Sequence, residues 1–407
     1  SLFIKLSTDK DFGVSHIKPL KMTLSEKFGR GTPVVVFDFV DGRGDLANHA
    51  LPTMDSIFYL DIGRSAYEIK RLKLRMTKIS SLTSKMGSQQ ITYRMFLVHS
   101  CWDKFITETH SKSWNGVLPS DAVRAIATEC GWEKLIIGDS DNETNITQPN
   151  WTNVELMRWI TENSTVYNSK PKYSGRIDGT FVFSSTQLLL EEQKSAMESG
   201  DIPVLRMMGQ DDKNVRETNV KKNHDIPNYF VNYSVDESHA QTRMNGSGGV
   251  RSYTYDSHTD TFMVNDYTVN DVDGSQLSDW VNTASTMTNA NKWLYNGRGS
   301  ENKSKAMNLI NNSIDNALSM EIVTEGSIDM RVGIILELII PIPPNVMSNE
   351  PYNVMYSGFW LVNEVKHAID FNKSAMVTNT SLIRSGHDNK RLEGYSTTHG
   401  GKFVKRE

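Results

Sequence analysis

Ala317-Leu318-Ser319-Met320-Glu321-Ile322-Val323-Thr324-Glu325-Gly326 and Val332-Gly333-Ile334-Ile335-Leu336-Glu337-Leu338 lead into a long hairpin, and this stretch decides how the chain is read. The first arm of the hairpin is Gly358-Phe359-Trp360-Leu361-Val362-Asn363-Glu364-Val365-Lys366-His367. A polar turn around Asp370 to Lys373 follows, and the second arm is Ala375-Met376-Val377-Thr378-Asn379-Thr380-Ser381-Leu382-Ile383-Arg384. β-Branched and aromatic residues punctuated by glycines are what a small closed barrel requires. The stretch contains no reactive constellation, so architecture is expected before catalysis.

Outward from this stretch, 407 residues exceed one ordinary core and imply roughly two to four domains. A hydrophobic fraction of 38% is low for a compact monomer, so partners are expected to complete part of the apolar surface. The net charge of −4 and pI of about 6.2 provide no basic field to neutralise a phosphate backbone. A sequence-reading nucleic-acid binder is excluded on that ground, whereas a surface that nucleic acid slides past is not. Cys101 and Cys130 are too few for a disulfide framework and read as buried structural thiols. The longest apolar run, Ile334 to Ile342, is interrupted by Glu337 and Pro341 and falls short of the roughly 20 residues of a membrane helix. With no signal-peptide core at Ser1 to Leu6, the expectation is an unexported chain without stable membrane insertion.

The N-terminal third is rich in strand signals: His16 to Phe28, Pro33 to Val40, Met54 to Ile62, and a hairpin of Tyr67 to Ile79 and Gln89 to Ser100. Ile69, Leu72, Leu74 and Met76 alternate with Lys70, Lys73, Arg75 and Thr77, which gives one buried and one wet face. Helix signals begin after Trp114-Asn115-Gly116. Ser120 reads as an N-cap with Gly131 as the stop, and Thr152-Asn153-Val154-Glu155 reads as a capping box. Gly179 to Phe183 reads as a strand, while Gln187 to Ser199 fits strand or helix. Leu205 to His224 reads as an exposed polar excursion. Strand signals return from Tyr229 to Val235 and from Val250 to Tyr255. Leu277 to Leu294 and Asn302 to Leu318 look helical, the second with a Met307, Ile310, Ile314 and Leu318 stripe. The polar, mildly basic tail from His387 reads as a frayed terminus or an arm that orders on a partner. The two long hairpins echo each other in pattern and length, which suggests two barrels in one chain.

The reactive candidates are sparse. Asp256, His258 and Asp260 would share one face of a strand and form the best metal candidate, although a solvated face or turn is the plainer reading. Asp271-Val272-Asp273-Gly274 fails as a calcium loop, because Trp280 stands where a bidentate glutamate belongs. His99-Ser100-Cys101-Trp102-Asp103 contains nucleophile types, but neighbours on a strand point to opposite faces. No phosphate loop, dinucleotide fingerprint or nucleophile elbow is present. No catalytic residue, cofactor or metal is therefore expected.

The Ala-x-Leu strand into Glu325-Gly326, Gly333 ahead of Ile335-Leu336-Glu337-Leu338, and the Gly358 to Arg384 hairpin resemble the central baseplate hub protein of contractile-tailed bacteriophages. Related hub modules of cell-puncturing secretion machines share these motifs. The matching positions are Gly326, Gly333, Gly358, Val362, Val365, His367 and Arg384. The resemblance implies an α+β, multidomain chain with two similar small antiparallel β-barrels and a helix-containing middle domain. Its expected parts are a barrel over 1–115, a middle domain over 116–224 and 261–317, a second barrel over 225–260 and 318–386, and a polar tail over 387–407. It further implies a homotrimer whose six barrels face a hexameric tail tube protein, with a trimeric central spike protein on the opposite face. Neighbouring baseplate proteins, non-specific passage of DNA and a place in the virion tail baseplate complete that picture. The alternative is a metal-dependent hydrolase of cell wall or polysaccharide, resting on Asp256, His258 and Asp260.

Overall fold

The computed structural model describes residues 3–8, 17–29, 31, 33–42, 56–63, 70–84, 91–208, 226–227, 229–237, 249–256, 260–268, 292–295, 304–310, 318–342, 352–353, 355–384, 395–397 and 403–405. The fold is mostly β, with one six-stranded barrel, a six-stranded sheet joined to it, and several small sheets.

The first sheet comprises β1 (Phe3–Thr8), β2 (Ile17–Lys27), β3 (Val34–Asp41), β4 (Ile57–Gly63), β5 (Lys70–Ser84) and β6 (Ile91–His99). They run in the order β1-β4-β5-β6-β3-β2, and every pair is antiparallel. Leu72, Leu74 and Met76 are buried and Lys73 is exposed, as the alternation requires. The first arm of the hairpin continues to Ser84, past the expected end at Ile79, with bulges beside Thr77 and Leu82 that add twist. β1 carried no signal that stood out from the sequence, and it is held by its pairing with β4.

The middle region follows as α1 (Ser100–Thr107), β7 (Thr109–Val117), α2 (Pro119–Cys130), β8 (Lys134–Ile137), β9 (Thr144–Thr152), α3 (Asn153–Asn163), β10 (Pro171–Gly175), β11 (Thr180–Ser185), α4 (Thr186–Glu192) and α5 (Lys194–Ser199). β7 pairs with β9, and β10, β11 and β8 form a small sheet. Its core packs Trp102, Phe105, Ile126, Met157, Phe181 and Phe183, each at most 1% exposed. The capping box at Thr152 and Glu155 is present, and Gly131 ends α2 in the left-handed conformation at φ 84°. Ser120 is not the N-cap. Leu118 holds that place with Pro119 in the first helical turn, and the Ser120 hydroxyl instead accepts from the Ser140 N–H at 3.2 Å. Residues 187–199 fold as α4 and α5 on either side of Gln193, and the Ser185 hydroxyl caps α4 by accepting from Leu188 N–H at 3.2 Å.

The remaining strands are β12 (Val204–Met207), β13 (Tyr229–Glu237), β14 (Gly249–Asp256), β15 (Thr261–Thr268), β16 (Lys292–Tyr295), β17 (Leu318–Glu325), β18 (Ile335–Ile339), β19 (Gly358–Asp370) and β20 (Ala375–Arg384). β18, β12, β13, β17 and β20 follow β19 in order, and β20 pairs back onto β19, which closes a six-stranded barrel. Closure leaves none of these six with an unpaired edge, and the interior fills with Leu205, Phe230, Met320, Leu336, Leu338, Trp360 and Leu382. β12 corrects the reading of Leu205 to His224 as wholly exposed: Leu205 is fully buried, and β12 lies parallel between β18 and β13. Residues 209–225 lie outside the described ones.

β14, expected in the second barrel, pairs instead with β15 and β16 in a separate three-stranded sheet. Of the helix expected over Leu277 to Leu294, the part before Lys292 lies outside the described residues, and Lys292 to Leu294 belong to strand β16. Residues 304–310 are helical with Ala306, Met307 and Ile310 buried, whereas Ile314 lies outside the described residues and Leu318 opens β17. Within the tail, β21 (Tyr395–Thr397) pairs with β22 (Phe403–Lys405).

Candidate functional site

β19 is the strand on which the architecture turns. Over residues 358–361 it pairs with β18 and closes the barrel, and over 364–370 it pairs with β2 and binds the first sheet. A bulge at Asn363 separates the two halves, and the Asn363 carbonyl accepts from Phe28 N–H at 2.7 Å. The extra residue reverses which side chains point inward, so Trp360 and Val362 are buried before it and Val365, His367 and Ile369 after it. One strand thereby serves two cores.

The seven positions picked out in the sequence cluster along this strand and its neighbours. Val362 and Val365 are fully buried, and His367 is 3% exposed with Nδ1 2.9 Å from the Thr378 hydroxyl. Burial lowers the His367 pKa to about 4, against the opposing effect of its hydrogen bond to the Met330 backbone. Arg384 is 2% exposed, donates to the Ser357 and Met355 carbonyls at 3.2 and 2.6 Å, and lies 4.4 Å over the Trp360 ring. Gly358 opens β19. Gly333 has φ 81°, a conformation that side chains resist, and its N–H donates to Val362 O at 2.9 Å.

Gly326 is needed for space, since a Cβ there would stand 2.1 Å from Met376 Cγ. Gly326→Val is therefore expected to cost about 1–3 kcal/mol by overpacking. Met376→Ala in the same chain is expected to recover part of the loss, as read from urea unfolding midpoints.

Three parts of the fold meet at a buried polar joint that sequence reading did not find. Glu26 of β2, 5% exposed, accepts from Ile177 N–H at 2.8 Å. Arg176 donates to Val332 O at 2.6 Å, and Asp178 forms an ion pair with Arg331. Burial raises the Glu26 pKa, partly offset by the Ile177 N–H and the Arg176 charge. Asp178 is raised by burial, but Arg331 and the hydrogen bonds from Thr180 outweigh this and hold it low. Gln193 adds a further tie, donating to Gly333 O at 3.1 Å and accepting from Ile335 N–H at 3.0 Å. These residues lie some 140 to 156 positions apart along the chain, so no local pattern could have announced them.

The reactive side chains singled out in the sequence are held in structural contacts where the structure describes them. His99 Nδ1 accepts from Cys101 N–H at 3.3 Å, while the Cys101 thiol donates to Gly131 O at 3.1 Å. Burial raises the pKa of both thiols, Cys130 to about 11, so the thiolate is disfavoured. Asp256 ends β14 and pairs with Thr261, Asp260 sits at φ 51°, and His258 lies outside the described residues. Among the described residues there is no group of three or more potential metal ligands. Asp271, Asp273 and Gly274 also lie outside them. Among the described residues, no helix is long and apolar enough to cross a membrane.

No family model matches the chain, and no curated protein matches it in sequence. Solved structures do. A tail protein from Neisseria meningitidis MC58 superimposes with a TM-score of 0.57 at 10% identity, over 96% of this chain and 98% of that one. The 43 kDa tail protein of prophage MuSo2 from Shewanella oneidensis gives 0.56 at 10% identity, over 95% and 99%. A type VI secretion system component of E. coli, described as structurally similar to the T4 bacteriophage tail proteins gp27 and gp5, gives 0.50 at 8% identity, over 99% and 79%. The fold is thus that of phage tail proteins and of their secretion-system counterpart, in agreement with the resemblance carried by the hairpin from Gly358 to Arg384.

Proposed function

We propose that the chain is a non-enzymatic structural hub subunit of a contractile phage tail baseplate, placed in the virion. Three copies form a ring that joins a hexameric tail tube to a trimeric central spike, contacts neighbouring baseplate proteins, and lets DNA pass. The observation that carries this reading is the agreement of fold over nearly the whole of both chains with two phage tail proteins. The sheet over β1 to β6, in which no pairing among the described residues joins β1 to β2, takes the part expected of a first barrel over residues 1–115, and the closed barrel takes the part of the second. Each has six strands and contains a long bulged hairpin. A pair of such units per subunit, taken three times, presents one interface to all members of a six-fold ring. A net charge of −4 suits a conduit that a polyanion traverses without sticking.

The seven motif positions act in this reading by fixing the barrel and its joint to the first sheet, with no contact to a substrate. Imaging the purified particle is expected to reveal a ring with a central hole and threefold symmetry. A strict monomer with no affinity for tube or spike would sink the proposal. A second reading, a hub module of a secretion machine, is favoured by the match to the type VI component, which spans 99% of this chain. Copurification with a phage tube or with a secretion tube distinguishes the two.

A further inference from the structure

A cavity of about 360 Å³ lies where β4, β5, the start of α1 and the end of α2 converge. Its size falls in the range of small-molecule sites and well short of a duplex groove. Arg71, Lys73 and Arg75 line it from one face of β5, the face opposite the buried Leu72 and Leu74. Lys104 joins them from α1, and the carboxylates in the wall are Glu133 and Asp178. Four cations against two carboxylates leave a surplus of two positive charges.

The surplus is unchanged when existing ion pairs are set aside, because Asp178 is already committed to Arg331. Arg71 is in turn committed to Asp61, at 2.7 Å. Among the described residues, neither Lys73 nor Lys104 forms an ion pair, and both are exposed toward solvent. Two lysines without counter-ions, converging on one concavity beside an arginine, are an arrangement that a compact dianion completes. The remaining wall is neutral, built from Ile57, Cys101 and Cys130 together with His99, which is stacked at 5.0 Å on Trp132.

We propose that this cavity binds a small phosphorylated solute, its phosphate held between Lys73 and Lys104 and its body against Ile57 and the two cysteines. The inference is independent of the hub reading, since it uses only residues at the join of the first sheet and the middle region. Glu133 limits the ligand to one compact anionic group, because a longer polyanion would meet its charge.

The experiment is titration calorimetry of the full chain with inorganic phosphate, adenosine monophosphate and a short single-stranded oligonucleotide at low salt. Saturable binding of phosphate or the mononucleotide, one per chain, is expected. A Lys73→Met, Lys104→Met double variant should weaken it by ~10-fold or more, the scale of two lost charge-assisted bonds. Lys194→Met on α5, outside the cavity, should leave it unchanged. Both changes are at exposed positions, and an unaltered thermal melt of the double variant would exclude misfolding as the cause. No binding of either small probe, binding of the oligonucleotide alone, or undiminished binding by the folded double variant would each overturn the proposal.

Discussion

Trp360→Ala is expected to cost the barrel about 3–5 kcal/mol from the lost ring alone, a large part of the stability of an ordinary domain. The ring is fully buried on β19 opposite Leu336, and its Nε1 donates to Tyr356 O at 3.0 Å. Removing it also deprives Arg384 of the face it lies against at 4.4 Å, and a desolvated contact of that kind adds up to ~2 kcal/mol. The guanidinium cannot leave easily, because the Ser357 and Met355 carbonyls hold it within the wall. The loss should appear as an earlier urea transition of the barrel. Phe262→Ala, at a ring 62% exposed on β15, serves as the comparison and should shift the midpoint by no more than ~0.5 kcal/mol. Equal effects of the two changes would mean that the barrel is not closed around Trp360.

That contrast also explains what the sequence could and could not disclose. The two hairpins were legible because each arm is long enough for period-2 alternation to emerge, as in Leu72, Leu74 and Met76 of β5. β12 was not. Four residues, Val204 to Met207, allow no period to develop, and the strand is specified by parallel pairing with β18 and β13, which are distant in sequence. α1 escaped for a related reason: it spans two turns, and its buried Cys101, Trp102 and Phe105 resemble a continuation of the preceding strand. The helix over Thr186 to Glu192 depends on the Ser185 cap, a signal three residues before Leu188 that the sequence did contain. The assignment of Ser120 failed because Pro119, fixed at a helical φ, claims the first turn and moves the cap to Leu118.

The buried contacts divide in the same way. Gly326, Gly333 and His367 were picked out through the resemblance carried by their stretch of sequence, whereas Glu26, Arg176, Asp178 and Arg331 come together only through tertiary folding. The bulge at Asn363 links the two levels. It allows a single strand to change partners from β18 to β2, so the barrel and the first sheet cannot shift independently without breaking β19. A shared strand sets the spacing of the two units more firmly than a linker would.

The chain is expected to lose stability steeply as pH falls from 6.5 toward 4, as two buried histidines take up protons on unfolding. His99 and His367 each have a folded pKa of about 4 against an ordinary 6.5, in both cases chiefly through burial. A depressed folded pKa means that the unfolded chain takes up the proton first. The stabilisation is therefore present above 6.5, declines as pH falls through this window, and is lost below about 4. Each histidine contributes a slope of at most about 1.4 kcal/mol per pH unit and no more than ~3.5 kcal/mol in all. Asp178, whose pKa is held low, loses its contribution only below its ordinary 3.8, outside the window. Glu26 acts in the opposite sense: its raised pKa favours the protonated carboxyl in the fold, so acidification above 4.5 offsets part of the loss. Unfolding in urea at half-unit steps from pH 7.5 to 4 should show the decline, and His367→Gln should lower stability at pH 7.5 yet flatten the slope below 6.5. A variant with the slope of the parent chain would show that the buried ring beside Thr378 does not govern the acid response, and Glu26→Gln, by removing the opposing group, should leave the decline steeper.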